Sequence, residues 1–433
     1  MQGSELQFQY FPPSVANSTK INETSEYGQG HDGYYQPDAV LDVCYPLLDI
    51  LDFFHLYYIP VIILIGLVGN FLSCVVFLNT HLKMRSSSYY LAALASADFG
   101  FLAALLLVWL NNNVGIEVFN REGWCQALVY VSSVCSSLSA WLIVAFTVER
   151  FIAVQYPLHR PHMCTVARAK AIVIALCVVG LLSHIYSFWT AGILRSPDGS
   201  GVCEMLGEYH EFMRIVNIVD SLVTLIVPLV LIIVMNTMIT RNLLRFGRRF
   251  KQDQVTSERA SQERSDFNLE QLHTSSSNNN NSRRQPSQQS FHSSKSNNSR
   301  QQPSRATNPA VERTVSIHCI HVRSPGKNLM STRTQQSITK MLLLISTVFI
   351  LLNLPSYVIR LYIFVFFSLW YQTTPPSLWC MQQFFMLLYY TNFSINFLLY
   401  SMCGITFRRC LAQLLRKTLK SLSRYHCRIQ RYF

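Results

Sequence analysis

A single carboxylate stands in the middle of an apolar run: Asp98, within LAALASADFG. An ionisable side chain at such a depth is costly, so it is a functional candidate by default. The groups able to compensate it come from other apolar runs: Asn70, Ser139, Asn392 and Asn396. One carboxylate among neutral oxygens suits a small hard cation such as sodium, or a water network around a proton-accepting Asp. Hydrogen bonding between helices alone is the plainer alternative. A cluster that held an ion in one state and lost it in another would be a switch element. A second constellation lies in VERFIAVQYPLHRP, where Glu149 and Arg150 are adjacent. Neighbours in a helix do not share a face, but the short carboxylate can still reach the guanidinium. At an inner membrane boundary Arg150 would be either paired or released to a cytoplasmic partner. His184 has no His, Asp or Glu at ligand spacing and reads as structural, so no reactive constellation points to an enzyme.

The elements that must position these residues are legible in the composition. Half the residues are hydrophobic and 14% are charged, too apolar for an ordinary soluble domain of this length. Spanning a bilayer takes roughly 20 residues. Seven stretches suffice, at about 56–79, 88–110, 125–154, 168–190, 213–240, 337–368 and 379–402. The fold class is an all-α membrane protein, a seven-transmembrane helix bundle with a short amphipathic helix after the seventh. Residues 1–54 read as an extracellular, disordered tail and 55–244 as the first five spans. Residues 245–335 form a cytoplasmic loop, 336–403 the last two spans, and 404–433 the amphipathic helix and tail. The loop holds HTSSSNNNNSRRQPSQQS, which cannot bury enough surface to offset its ordering entropy and is expected to be disordered. No signal peptide precedes the first span, which is expected to act as signal anchor.

Charge orients the bundle. The segment before the first span carries eight Asp or Glu and one Lys, whereas Lys83, Arg85, Arg160, Arg168, Arg241, Arg245 and the Arg408–Arg431 tail fall in the alternate gaps. Lys and Arg stay cytoplasmic. The expectation is a multi-pass plasma-membrane protein with its N-terminus outside and its C-terminus inside. Sequons at Asn17 and Asn22 then face outside, where glycosylation is available. The net charge of +13 follows from this bias and a basic loop touching membrane lipid, and no nucleic acid partner is implied. Of twelve cysteines, four face outside: Cys44, Cys125, Cys203 and Cys380. An even number permits two bridges.

Taken together, these motifs resemble the class A (rhodopsin-like) G-protein-coupled receptors over all seven spans and the helix after them. The resemblance is carried by Gly69–Asn70, LAxAD ending at Asp98, Cys125, Glu149–Arg150–Phe151, Cys203, Pro228, Phe349 through Pro355, Asn396 through Tyr400, and Phe407–Arg408–Arg409. It implies a sodium-site carboxylate at Asp98 with Asn70, Ser139, Asn392 and Asn396 around it. It also implies a Cys125–Cys203 bridge, with Cys44–Cys380 as a second bridge or as free thiols. Arg150 would contact a heterotrimeric G protein, Leu158 would dock it, and arrestin and receptor kinases would follow as partners. Glu149, Asn353, Pro355 and Tyr400 belong to the implied switch. Cys410 stands where S-palmitoylation would anchor the amphipathic helix. No cofactor is implied beyond an allosteric sodium ion.

The chain departs from the family at the switch. Phe397 stands where the seventh helix usually has proline, Asn353 where the sixth usually has Trp, Cys177 for a Trp, and Asn236 for a Tyr. Gln335 is not the acidic residue that often clamps Arg150, and a weak clamp predicts noticeable basal signalling. As for the ligand, Ser132 occupies the position of the amine receptors' Asp, and no Lys lies between Lys340 and Lys417 to bind retinal. The remaining polar and aromatic set, Trp109, Asn112, Ser132, Asp220, Arg360, Gln382 and Tyr390, suits an extracellular peptide and an amidated C-terminus. Asp220 and Arg360 would bind the ligand or pair with each other. YYTNFSINFLLY and NLPSYVIR further resemble invertebrate neuropeptide receptors near the FMRFamide, thyrotropin-releasing-hormone and CNMamide receptor group. The alternatives are a lipid or other non-peptide ligand, or a seven-helix transporter, although neither internal repeats nor broken helices are present.

Overall fold

The computed structural model describes residues 49–195, 201–245, 325–370 and 376–429, with positions 248, 252 and 256 besides. The expected sites Asn17, Asn22 and Cys44, and most of the loop 245–335, lie outside the described residues, as does the side chain of Gln335. The chain divides into two compact units, 1–244 with 332–433, and 245–331. The first holds the helices that follow.

Helix α1 runs Asp49–Asn79, through a π-helical turn at Phe54–Tyr58. Pro60 follows that turn at the start of its regular part, and the missing N–H removes one donor from the helix. Helix α2, Ser86–Val114, closes on Gly115 at φ 78°, a left-handed conformation that glycine adopts without strain. Helix α3, Trp124–Gln155, opens after Gly123, whose N–H donates to Gln126 Oε1 at 2.7 Å. Helix α4, Val166–Ser183, is capped by Thr165, whose hydroxyl accepts from the Arg168 N–H at 3.3 Å. A short helix, Ser187–Thr190, then leads into an antiparallel hairpin of β1, Ala191–Arg195, and β2, Gly201–Met205, with Ile193 opposite Cys203. Helix α5 starts as His210–Asp220, passes through a π-helical turn at Ser221–Ile226, and continues along the apolar span Ile218–Arg245. Helix α6, Pro325–Trp370, contains Pro355. Helix α7 is Pro376–Cys403, and α8 is Ile405–Ile429. At 25 residues α8 is longer than the short helix expected from the sequence.

Among the described residues, six helices are long and apolar enough to cross a membrane, namely α1 to α6. Helix α7 is not one of them, because Gln382, Gln383, Thr391, Asn392, Ser394 and Asn396 dilute its apolar residues. The groups that weaken its hydropathy are the ones buried against its neighbours: Gln383, Asn392, Ser394 and Asn396 are each no more than 5% exposed.

Two apolar clusters fill the bundle. One gathers Leu94, Leu142, Ile143, Phe146, Phe349 and Tyr400 towards the Arg150 end. The other gathers Ile63, Phe101, Leu102, Met386, Tyr390 and Phe393 towards the hairpin end. Phe101 of α2 stacks on Phe393 of α7 with ring centroids 3.9 Å apart, worth about 0.5–1.5 kcal/mol beyond the area buried. Helices α1 and α7 approach closely at Gly66 and Gly69. A Cβ on Gly69 would stand 2.7 Å from Cβ of Phe397, and one on Gly66 would stand 2.7 Å from Cβ of Ser394. Phe397 thus packs onto a glycine that has no side chain to oppose it.

Candidate functional site

The polar centre of the bundle is built by α2, α3 and α7. Asp98 is fully buried. Ser139 donates its hydroxyl to Asp98 Oδ1 at 2.8 Å, and Asn396 donates Nδ2 to Oδ2 at 2.7 Å. Both carboxylate oxygens are therefore held by side-chain hydrogen bonds. The other two expected members lie alongside rather than on the carboxylate. Asn70 Nδ2 donates to the Phe393 carbonyl at 2.8 Å, tying α1 to the backbone of α7. Asn392 offers its backbone carbonyl to Asn396 at 3.4 Å. Asn70 Oδ1 and Asn392 Nδ2 are buried without a partner, as is the Ser73 hydroxyl. An anionic oxygen, a hydroxyl and orphaned amide and hydroxyl oxygens form a donor set that fits a hard monovalent cation. Among the described residues no group of three His, Cys, Asp or Glu could hold a harder-bound metal.

At the opposite end of α3, Arg150 Nη2 donates to Glu149 Oε1 at 2.5 Å, with both residues buried. The same oxygen accepts the hydroxyls of Ser86 at 2.9 Å and Ser87 at 2.8 Å. Three donors on one oxygen fix the carboxylate to the start of α2. Arg150 Nε is buried without a partner, so the guanidinium is satisfied unevenly. Close by, Asn236 of α5 donates to the Ser346 hydroxyl of α6 at 2.9 Å, and both line the space beside Arg150 with Thr339. Asn242 of α5 also bonds Gln155 at the end of α3. Leu158 stands 87% exposed in the loop that follows. Asn353 does not reach into the Asp98 cluster. Its Nδ2 donates back to the Phe349 carbonyl at 2.7 Å, one turn earlier in the same helix. Tyr400 is buried among Phe77 and Phe407, its hydroxyl without a partner. Cys410 is buried 6% exposed in the same apolar cluster, beside Phe407, so its thiol faces the bundle.

The hairpin end carries the expected ligand residues. Cys125 and Cys203 are bridged, fixing β2 to the start of α3, and Asn120 Oδ1 accepts the Cys203 N–H at 3.1 Å. Cys380 at the start of α7 is buried and disulfide-bonded, with its partner outside the described residues. Asn111 receives the N–H groups of Phe119 and Asn120 and donates to Asn112 Oδ1 at 3.1 Å, so these amides shape the loop after α2. Trp109 donates Nε1 to the His55 carbonyl at 2.9 Å and pins α2 to α1. Ser132 is buried and turned onto its own helix, donating to the Val129 carbonyl. Tyr390 is 1% exposed in the apolar cluster. Its neighbour Tyr389 makes the polar contacts: its hydroxyl is 2.5 Å from Ser136 of α3, and the Arg360 guanidinium lies 5.2 Å from its ring centroid. Arg360 Nη2 also reaches Met386 Sδ at 2.8 Å. Gln382 is half-buried beside the buried Gln383.

Asp220 pairs with His184, whose Nε2 lies 3.5 Å from Asp220 Oδ1. The reading of His184 as lacking an acidic neighbour is corrected here. Its partner is 36 positions away in the chain and is brought in by the packing of α5 near α4, which no local spacing reveals. Ser136 and Tyr389 were likewise missed. Their signal was only that a Ser on α3 and a Tyr on α7 point inward, and that depends on the mutual rotation of two helices.

Residues 69–400 match the family described as the 7 transmembrane receptor (rhodopsin family). Among curated proteins, the human thyrotropin-releasing hormone receptor is 32% identical over 140 residues, covering 32% of this chain and 33% of that protein. The FMRFamide peptide receptor frpr-18 of Caenorhabditis elegans is 26% identical over 148 residues, covering 33% of this chain and 34% of the relative. The B1 bradykinin receptor of Macaca mulatta is 26% identical over 178 residues, covering 40% and 49%. The chain thus spans about a third of the length of the first of these relatives.

Proposed function

Because this chain belongs to the rhodopsin family of seven-transmembrane receptors, we propose that it is a plasma-membrane receptor for an extracellular, C-terminally amidated neuropeptide, coupled to a heterotrimeric G protein. The observation that carries this reading is the polar group at the hairpin end, Arg360–Tyr389–Ser136, drawn from α6, α7 and α3. A guanidinium over an aromatic ring offers donors to the carbonyl of a peptide carboxamide and a flat face to an aromatic side chain. The names of the relatives, receptors for thyrotropin-releasing hormone, FMRFamide peptide and bradykinin, support a peptide.

The orientation that fits places the hairpin and its disulfides outside, where bridges persist, and Arg150 and Leu158 at the cytoplasmic face. Peptide contacts on α6 and α7 would favour a state in which Arg150 leaves Glu149 for the G protein. Arrestin and receptor kinases would then meet the same face, and membrane lipid the basic loop. A sodium ion would be held by Asp98 and Ser139 with the Asn70 oxygen, and would supply a charge that ties α1, α2 and α3 together.

A calcium readout in cells expressing the chain with a promiscuous G protein, challenged with a library of amidated neuropeptides, tests the reading. A saturable response to one peptide that is lost in Cys203→Ala and weakened in Arg360→Ala is expected. Silence across the library, with surface expression confirmed, would overturn the peptide assignment.

A further inference from the structure

A crevice of about 470 Å³ opens between α3, α4 and α5, a volume within the range of small-molecule sites. None of its lining residues belongs to α2, α6 or α7, and neither Arg360, Tyr389 nor Ser136 lines it. Its walls are aliphatic, and several of them face outward: Val179 is 63% exposed, Ile215 60% and Val219 53%. On helices apolar enough to span a membrane, such outward faces meet lipid. Helices α4 and α5 are also the least enclosed, with 17% and 18% of their spans buried against 61% for α2. The crevice is therefore reached from the bilayer.

Its floor is polar. His184, 3% exposed, directs Nδ1 at the Gly180 carbonyl, 3.0 Å away, and Ser183 Oγ lies 2.9 Å from the same nitrogen. A carbonyl can only accept, so Nδ1 carries a proton and Nε2 is the nitrogen turned to Asp220. At 3.5 Å that pair is looser than a close charge-assisted bond. The Asp220 side chain is 19% exposed, and no other described donor reaches its oxygens. The π-helical turn beginning at Ser221 adds a residue to the coil directly after Asp220, a device common at functional sites. A carboxylate with unused acceptor capacity thus sits at the base of an apolar slot open to lipid.

We propose that this crevice binds a sterol, with its hydroxyl donating to Asp220 and its ring body against Val179, Ile215, Val219 and Val223. Charge selects the headgroup. A fatty acid would set a second carboxylate against Asp220, and a cationic headgroup would carry a further charge into an apolar slot where Asp220 already faces His184. A neutral hydroxyl donates to a free acceptor site of the carboxylate and brings no charge with it. Shape selects the body. Val and Ile side chains are stiff, so the wall is preformed, and a rigid ring system loses less conformational freedom on it than an acyl chain does.

The site is tested on the full chain in nanodiscs with a photoreactive cholesterol probe, mapping the labelled peptides by mass spectrometry. Saturable labelling of the α4 and α5 segments is expected, suppressed at least tenfold by excess cholesterol. The 3α-hydroxyl epimer and a free fatty acid should suppress it little. Val219→Trp, which fills the slot from an already exposed position, should cut labelling at least tenfold, and Asp220→Asn should remove the preference for the natural epimer. Labelling that rises without saturation, maps elsewhere, ignores Val219→Trp, or is competed equally by the epimer or the fatty acid would overturn the proposal. No peptide is used, so this outcome is independent of the peptide assignment.

Discussion

Exchanging the two partners of the central carboxylate tests the geometry at Asp98 directly. In Asp98→Asn, one oxygen still accepts from Ser139, but the new amide nitrogen replaces Oδ2 and faces Asn396 Nδ2, 2.7 Å away in the native bond. Two donors then oppose each other in a site with no exposure. A hydrogen bond to a charged acceptor is worth about 1.5–3 kcal/mol, and leaving a buried donor unsatisfied costs about 1–3 kcal/mol more. The single variant should lose roughly 2–5 kcal/mol. Asn396→Asp, which sets two carboxylates together, should be at least as damaging. The double variant Asp98→Asn/Asn396→Asp restores one donor against one carboxylate. The Asn392 backbone carbonyl, 3.4 Å from the native amide nitrogen, opposes the new acid in the single and the double variant alike, so it cancels from the cycle. Its coupling energy should therefore be favourable by about 2–4 kcal/mol. Thermal inactivation of the four purified proteins in one detergent, scored by the fraction remaining monodisperse, measures the cycle. Additive losses, or a double variant worse than both singles, would refute the arrangement of donors around Asp98.

Other expectations follow from the same contacts. Ser86→Ala/Ser87→Ala removes two of the three donors on Glu149 Oε1 and should raise agonist-independent signalling several-fold, read as basal second messenger normalised to surface expression. Gly69→Ala forces a methyl to 2.7 Å from Phe397 Cβ and should destabilise by about 1–3 kcal/mol, as overpacking does. Phe397→Ala in the same chain should recover part of that loss in surface yield. Tyr389→Phe deletes the bond to Ser136 while keeping the ring under Arg360, so peptide potency should fall by less than in Tyr389→Ala, as a dose–response series would show.

Much of this protein was legible without its structure, for physical reasons that can be named. A bilayer demands long apolar runs, and the expected 125–154 and 379–402 became Trp124–Gln155 and Pro376–Cys403. Intramembrane polarity is rare, so Asp98, Ser139 and Asn396 could be singled out, and they meet. What tertiary packing decided was which polar atom faces which. Asn70 and Asn392 carry the same chemistry as Asn396, yet helix rotation aims Asn70 at a backbone carbonyl and leaves Asn392 Nδ2 unpartnered. Tyr389 and Tyr390 are adjacent and equivalent as letters, but a step of about 100° around a helix is what turns Tyr389 onto Ser136. The His184–Asp220 pair depends on how α4 and α5 lie beside each other and on a π-helical turn. Periodicity and composition report where a residue sits along one helix. The angle at which that helix meets its neighbours is set by packing, and only the folded chain records it.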